Sequence, residues 1–167
     1  GRLLLLQAEL RVRAGRPREA LIPLRRLSLE YPELAATPRG KLLLAEVCLA
    51  GEPAERAEGL ALAERILAEH AGTEQAAGAQ LVLLLAELER RPLEPAGLAA
   101  WVASNPGHPL ALRARDALLR ALEGLPDRAA AAAGLESLLA LELPAEERGK
   151  LLAALVELRI ELALDAV

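Results

Sequence analysis

The chain repeats itself. The stretch EALIPLRRLSLEYPE (19–33) aligns with EGLALAERILAEHAG (58–72), placing Gly59 on Ala20, Ala63 on Leu24, Ile66 on Leu27 and His70 on Tyr31. AGLAAWVASNPG (96–107) follows the same frame, with Leu98 on Leu24, Trp101 on Leu27, Asn105 on Tyr31 and Pro106 on Pro32. AAGLESLLALELP (132–144) closes on Pro144. The closing positions 32, 71, 106 and 144 are spaced as helical repeats are. Such a period constrains the fold more than any single motif does. One pair of short helices cannot bury its apolar face alone and must stack on a neighbour.

Each of these segments has a predecessor. LLLLQAEL (3–10), KLLLAEVCLAG (41–51) and VLLLAELERRP (82–92) align on Ala8-Glu9, Ala45-Glu46 and Ala86-Glu87. RDALLRALEGLP (115–126) aligns on Ala117, and GKLLAALVELRI (149–160) on Ala154 with no second helix after it. Apolar residues recur three and four apart throughout, as on an amphipathic helix. Gly15-Arg16-Pro17, Gly51-Glu52-Pro53, Pro92 with Pro95, and Gly124 to Asp127 separate first from second helices. Glycine there ends a helix at positive φ, and proline opens the next in its first turn. Pro23 falls inside a second helix, so that helix either kinks or begins nearer Leu21. Pro92 and Pro95 delay and shorten the third second helix.

Composition agrees. The chain is 53% hydrophobic but has no Phe or Met, one Tyr and one Trp. Leu and Ala, both strong helix formers, carry the apolar mass, and the material for strands is scarce. The expectation is an all-α chain with units near 1–34, 35–72, 73–108 and 109–144 and a terminal helix over 145–167, forming one domain. The start at Gly1 without Met is read as a piece of a longer protein, and the Arg-, Ala- and Leu-rich usage as a GC-rich bacterial genome.

These residues resemble the tetratricopeptide-repeat (TPR) superfamily. The first unit matches its pattern at Ala8, Gly15, Ala20, Leu24, Leu27 and Pro32; the third and fourth are degenerate, and Leu fills the family's aromatic positions. The resemblance implies a right-handed α-solenoid of about four hairpins plus a terminal helix, with first helices lining a concave, partner-binding face. The Tyr-Pro exit, LLLAE, and AEHAGTEQAAGAQLVLLLAEL are similar to bacterial cell-envelope repeat proteins such as the TolA-binding coordinator and the outer-membrane assembly lipoprotein. LAAWVASNPGHPLALRA and LPAEERGKLLAALVEL resemble the helical N-terminal region of penicillin-binding-protein activators. That likeness implies a periplasmic or envelope setting. It also leaves open a regulatory or substrate-positioning role beside a cell-wall enzyme.

By helical spacing, Leu5, Leu42 and Leu83 form one row of the expected groove, continued by Ala114 and Leu151. Glu9, Glu46 and Glu87 form a second row one turn on, with Arg2, Arg13, Arg39, Arg91 and Arg159 flanking. An apolar stripe between charged rows suits an extended peptide or an amphipathic helix. The competing reading makes the same Leu residues core and the Glu residues a solvated face.

Chemistry is sparse. His70 and His108 fall about one helix-pair step apart, roughly 10 Å, too far to share a metal. Cys48 sits among Leu and Ala and reads as a small buried hydrophobe. Ser28, Ser104 and Ser137 lack a nucleophile-elbow context, and no phosphate- or dinucleotide-binding glycine motif occurs. The reading is a non-catalytic module without cofactor or metal, binding a protein or peptide. The net charge of −4 argues against a nucleic-acid partner, and no long apolar run suits membrane insertion. Basic residues crowd the first 26 positions and acidic ones the last 30, a polarity that admits head-to-tail self-association.

Overall fold

The computed structural model describes residues 1–165, and every regular element among them is helical. The helices are α1 (Arg2–Arg13), α2 (Pro17–Glu30), α3 (Pro32–Ala35), α4 (Pro38–Leu49), α5 (Pro53–Glu69), α6 (Glu74–Arg90), α7 (Ala96–Ser104), α8 (Ala111–Glu123), α9 (Arg128–Leu139) and α10 (Ala145–Asp165). The all-α expectation holds. The single turn of α3 is an addition: Pro32 closes one second helix and at once opens this extra turn as its first residue. The chain divides into two compact units, Gly1–Ala86 and Glu87–Val167.

The second helices repeat as their sequences do. Leu24 and Leu27 of α2, Ala63 and Ile66 of α5, and Leu98 and Trp101 of α7 are all buried. Each helix then ends in the same way. Tyr31, His70 and Asn105 have φ of −142°, −131° and −129°, and their N–H groups donate to the carbonyls of Leu27, Ile66 and Trp101. α9 keeps the spacing with Ala131, Leu135 and Leu138 buried.

In the first unit α1 packs on α2 and α4, α2 on α4, and α4 on α5. Two apolar clusters result. One joins Ala8, Ala20, Leu24, Leu27, Leu43 and Val47; the other joins Ala45, Leu49, Ala63, Ile66, Ala79, Val82 and Ala86. α4 feeds both. At 100° per residue, Leu43 and Val47 lie roughly opposite Ala45 and Leu49 on its surface, so α4 is apolar on two sides and buried on two sides. Burying a Leu or Ile of this kind contributes roughly 1.5–3 kcal/mol. The α4–α5 crossing is tight: a Cβ on Gly59 would lie 2.7 Å from Cys48 Cβ and 2.9 Å from the Ala45 carbonyl oxygen.

Pro23 stays inside a continuous α2, so the helix does not restart at Leu21. Proline leaves the Glu19 carbonyl without its usual donor four residues on. The Arg11 guanidinium of α1 supplies the missing bond, donating from Nη1 to that oxygen at 2.9 Å. Of the glycines expected to end first helices, only Gly15 takes a positive φ, at +73°; Gly124 is at −81° and Gly51 is not in that region. Gly51 is needed for space instead, because the Glu55 carboxylate that caps α5 lies where its Cβ would be.

In the second unit α8 packs on α7 and α9, and α10 packs on α9. Trp101, 2% exposed, meets the His108 ring edge-on at 5.2 Å between centroids. His108 Nδ1 accepts the Leu110 N–H at 3.1 Å, which locks the turn before α8. α10 buries Leu151, Leu155 and Leu158.

Candidate functional site

The expected groove residues sit on first helices, and the structure sorts them. In the first unit Leu5 is half-buried against the α1–α2–α4 cluster, while Leu42 and Leu83 are half-buried against the α4–α5–α6 cluster. Arg39 of α4 reaches back to Glu9 of α1 with both ends of its fork, Nε to Oε1 at 2.6 Å and Nη2 to Oε2 at 2.8 Å. Glu9 and Arg39 thus bridge α1 and α4, with Leu5 one turn before Glu9 on α1 and Leu42 one turn after Arg39 on α4. Arg13 is exposed one turn further along α1. Glu46 departs from the expected open row: it is only 5% exposed, the one buried charged side chain among the described residues. Glu87 and Arg91 begin the second unit; both are exposed, and Arg91 pairs with Glu94 at 3.3 Å. Of the continuing positions, Ala114 and Leu151 are buried.

The pair at Arg39 belongs to a wider pattern. Arg18 of α2 donates to the Ala50 carbonyl and to Glu52 at the start of α5, and Arg25 of α2 approaches Glu55 of α5 at 3.9 Å. Second helix therefore meets next second helix, as first meets next first. The second unit repeats the device between α8 and α10. Arg115 Nε donates to Glu147 Oε2 at 2.6 Å and Nη2 to Oε1 at 3.2 Å, with side chains 12% and 17% exposed. These links span 30 to 34 residues, about one hairpin.

Two features escaped the sequence reading. Thr37 and Thr73, 36 residues apart and the only threonines in the chain, do one job at the starts of α4 and α6. Each hydroxyl accepts an N–H three residues on, from Gly40 and Ala76, and donates to a carbonyl three residues back, of Leu34 and His70. That spacing was legible and would have fixed the register of the second and third units. The other is a cleft of about 400 Å³ between α2, α4 and α5, floored by Leu24, Leu44 and Cys48 and rimmed by Arg25, Glu55 and Glu58. Cys48 is buried there as expected, and burial pushes its thiol up to about 11, with Glu58 and Glu55 adding to the shift. A thiol held protonated is a poor nucleophile and metal ligand.

No family model, no curated protein and no solved structure matches the chain. Among the described residues no group of three or more His, Cys, Asp or Glu side chains could hold a metal ion, and no helix is long and apolar enough to cross a membrane.

Proposed function

We propose that the chain is a non-catalytic interaction module, a TPR-like stack of helical hairpins that wind into a right-handed α-solenoid and hold a peptide or partner helix along their first helices. The observation that carries this reading is the recurrence of one hairpin's contacts in the next. Three of the four second helices, α2, α5 and α7, bury matching positions and end in the same conformation, and Arg–Glu links one hairpin long tie α1 to α4, α2 to α5 and α8 to α10. Stacked hairpins of this kind offer extended surfaces rather than enclosed pockets. In the first unit that surface is the α1–α4 seam, where half-buried Leu5 and Leu42 supply apolar contact and Arg13 and Arg39 supply exposed cations. Glu46 is excluded from it by burial. A partner with apolar anchors and acidic flanks fits this arrangement. The resemblance to envelope repeat proteins directs the search for that partner to the bacterial cell envelope.

The test is selection of peptides from a displayed random library on the 167-residue chain, followed by affinity measurement. Enriched peptides should carry acidic and apolar residues and bind Arg13→Glu or Arg39→Glu about tenfold more weakly, a loss of roughly 1.4 kcal/mol. Arg26→Glu, on the exposed side of α2, should leave them unaffected. Peptides indifferent to both seam variants would remove the seam as the binding surface.

A further inference from the structure

α1 and α10 each carry an apolar stripe that no described residue covers. On α1, Leu3, Leu6 and Leu10 are 74%, 50% and 55% exposed; on α10, Leu152, Val156, Ile160 and Leu164 are 46%, 55%, 55% and 70% exposed. Steps of three and four residues put each set on one side of its helix. The other exposed large apolar residues among those described are single or a pair on different turns, at Ile22, Leu29, Tyr31, Leu93 and Leu112. The α10 stripe lies opposite the buried Leu151, Leu155 and Leu158, so α10, like α4, is apolar on two sides.

We propose that the occupant of the α10 stripe is α1 of a second copy of this chain, joined head to tail. The charges beside the stripes choose this pairing over α10 against α10. Arg2 and Arg13 beside the α1 stripe have no partner among the described residues, and Glu9, the one acid of α1, is taken by Arg39. Alongside the α10 stripe Glu157 has no partner among the described residues, while Arg159 is held by Glu136 and Glu161 by Arg128. Arg148, which has no side-chain partner among the described residues, lies a turn before the stripe begins. Unsatisfied cations on one end therefore meet an unsatisfied anion on the other, whereas two copies of α10 would set Glu157 against Glu157. Such a contact is heterologous, so it either closes into a ring of copies or runs on as an open chain of them. Its exposed charges make it weaker in salt.

Sedimentation of the whole chain from about 1 to about 300 µM, where a small interface of this kind forms and dissociates, tests the idea. The wild-type mass should rise with concentration above that of the monomer. A head-blocked variant, Leu3→Glu/Leu10→Glu, and a tail-blocked variant, Val156→Glu/Ile160→Glu, should each be monomeric with unchanged helical circular dichroism, because all four positions are exposed. Mixed in equal amounts, they should form a one-to-one dimer and nothing larger, since each supplies the end the other lacks. A wild type that stays monomeric throughout, a head-blocked variant that still dimerises with itself, or a mixture that stays monomeric would each overturn the proposal.

Discussion

α4 and α10 are built alike and end up differently. Both open near an ion pair that reaches back to the preceding first helix, Arg39 to Glu9 in one case and Glu147 to Arg115 in the other, with the charges exchanged. Both are apolar on two sides. On α4 both sides are covered: Leu43 and Val47 by the α1–α2 hairpin, Ala45 and Leu49 by α5 and α6. On α10 one side is covered by α9 and the other is open. The difference teaches that burial of an apolar helix side is set by its neighbours. A helix with two apolar sides announces two contacts, and the helices packed on it decide how many are met.

The largest expected effect separates matched leucines. Leu43→Ala, at 6% exposure on α4, should cost about 2–5 kcal/mol of stability in urea unfolding. Leu152→Ala on the open side of α10 should stay within about 0.5 kcal/mol. Equal costs would mean that the α10 side is covered and the comparison is broken. The paired charges come next. Arg115 and Glu147 are mostly buried, so removing either should cost about 2 kcal/mol, between the exposed and fully buried limits. Arg39 is 62% exposed, and Arg39→Ala should cost less than about 1 kcal/mol. A double-mutant cycle at each pair would sharpen the contrast.

A thiol reports coverage more gently. With its pKa raised from 9.0 to about 11, Cys48 should react with a thiol reagent near pH 8 on the order of 100-fold more slowly than an exposed thiol. A Cys48→Ala/Val156→Cys variant should react at the ordinary rate from the open side of α10. The same shift has a stability consequence. The folded state holds the thiol proton more tightly than the unfolded state, so its contribution is complete below pH 9 and is lost as pH rises through about 11. The slope is at most about 1.4 kcal/mol per pH unit, and Cys48→Ala should abolish it.

Much of the helix plan was legible before the structure. Leu27, Ile66 and Trp101 aligned because a second helix offers one deep position near its end, and Tyr31, His70 and Asn105 aligned because the chain leaves that position by the same turn. What could not be read was partnership at a distance. Nothing local to Pro23 says that Arg11 on another helix will satisfy the Glu19 carbonyl. Nothing local to Glu46 distinguishes it from Glu87, yet one is buried and the other exposed. Gly51 and Gly124 looked like positive-φ stops, but in the event a capping carboxylate demanded the first and no steric clash demanded the second. For the proposed surface, the Leu–Glu–Arg spacing pointed to first helices and left open which of their residues face solvent.

The most direct test of hairpins lying against one another in chain order is dipolar electron spin resonance on Glu9→Cys/Arg39→Cys, labelled in a Cys48→Ala background. Packed first helices lie about 8–10 Å apart axis to axis, so the two labels should couple strongly and broaden the spectrum. A spectrum equal to the sum of the two singly labelled proteins would contradict the account.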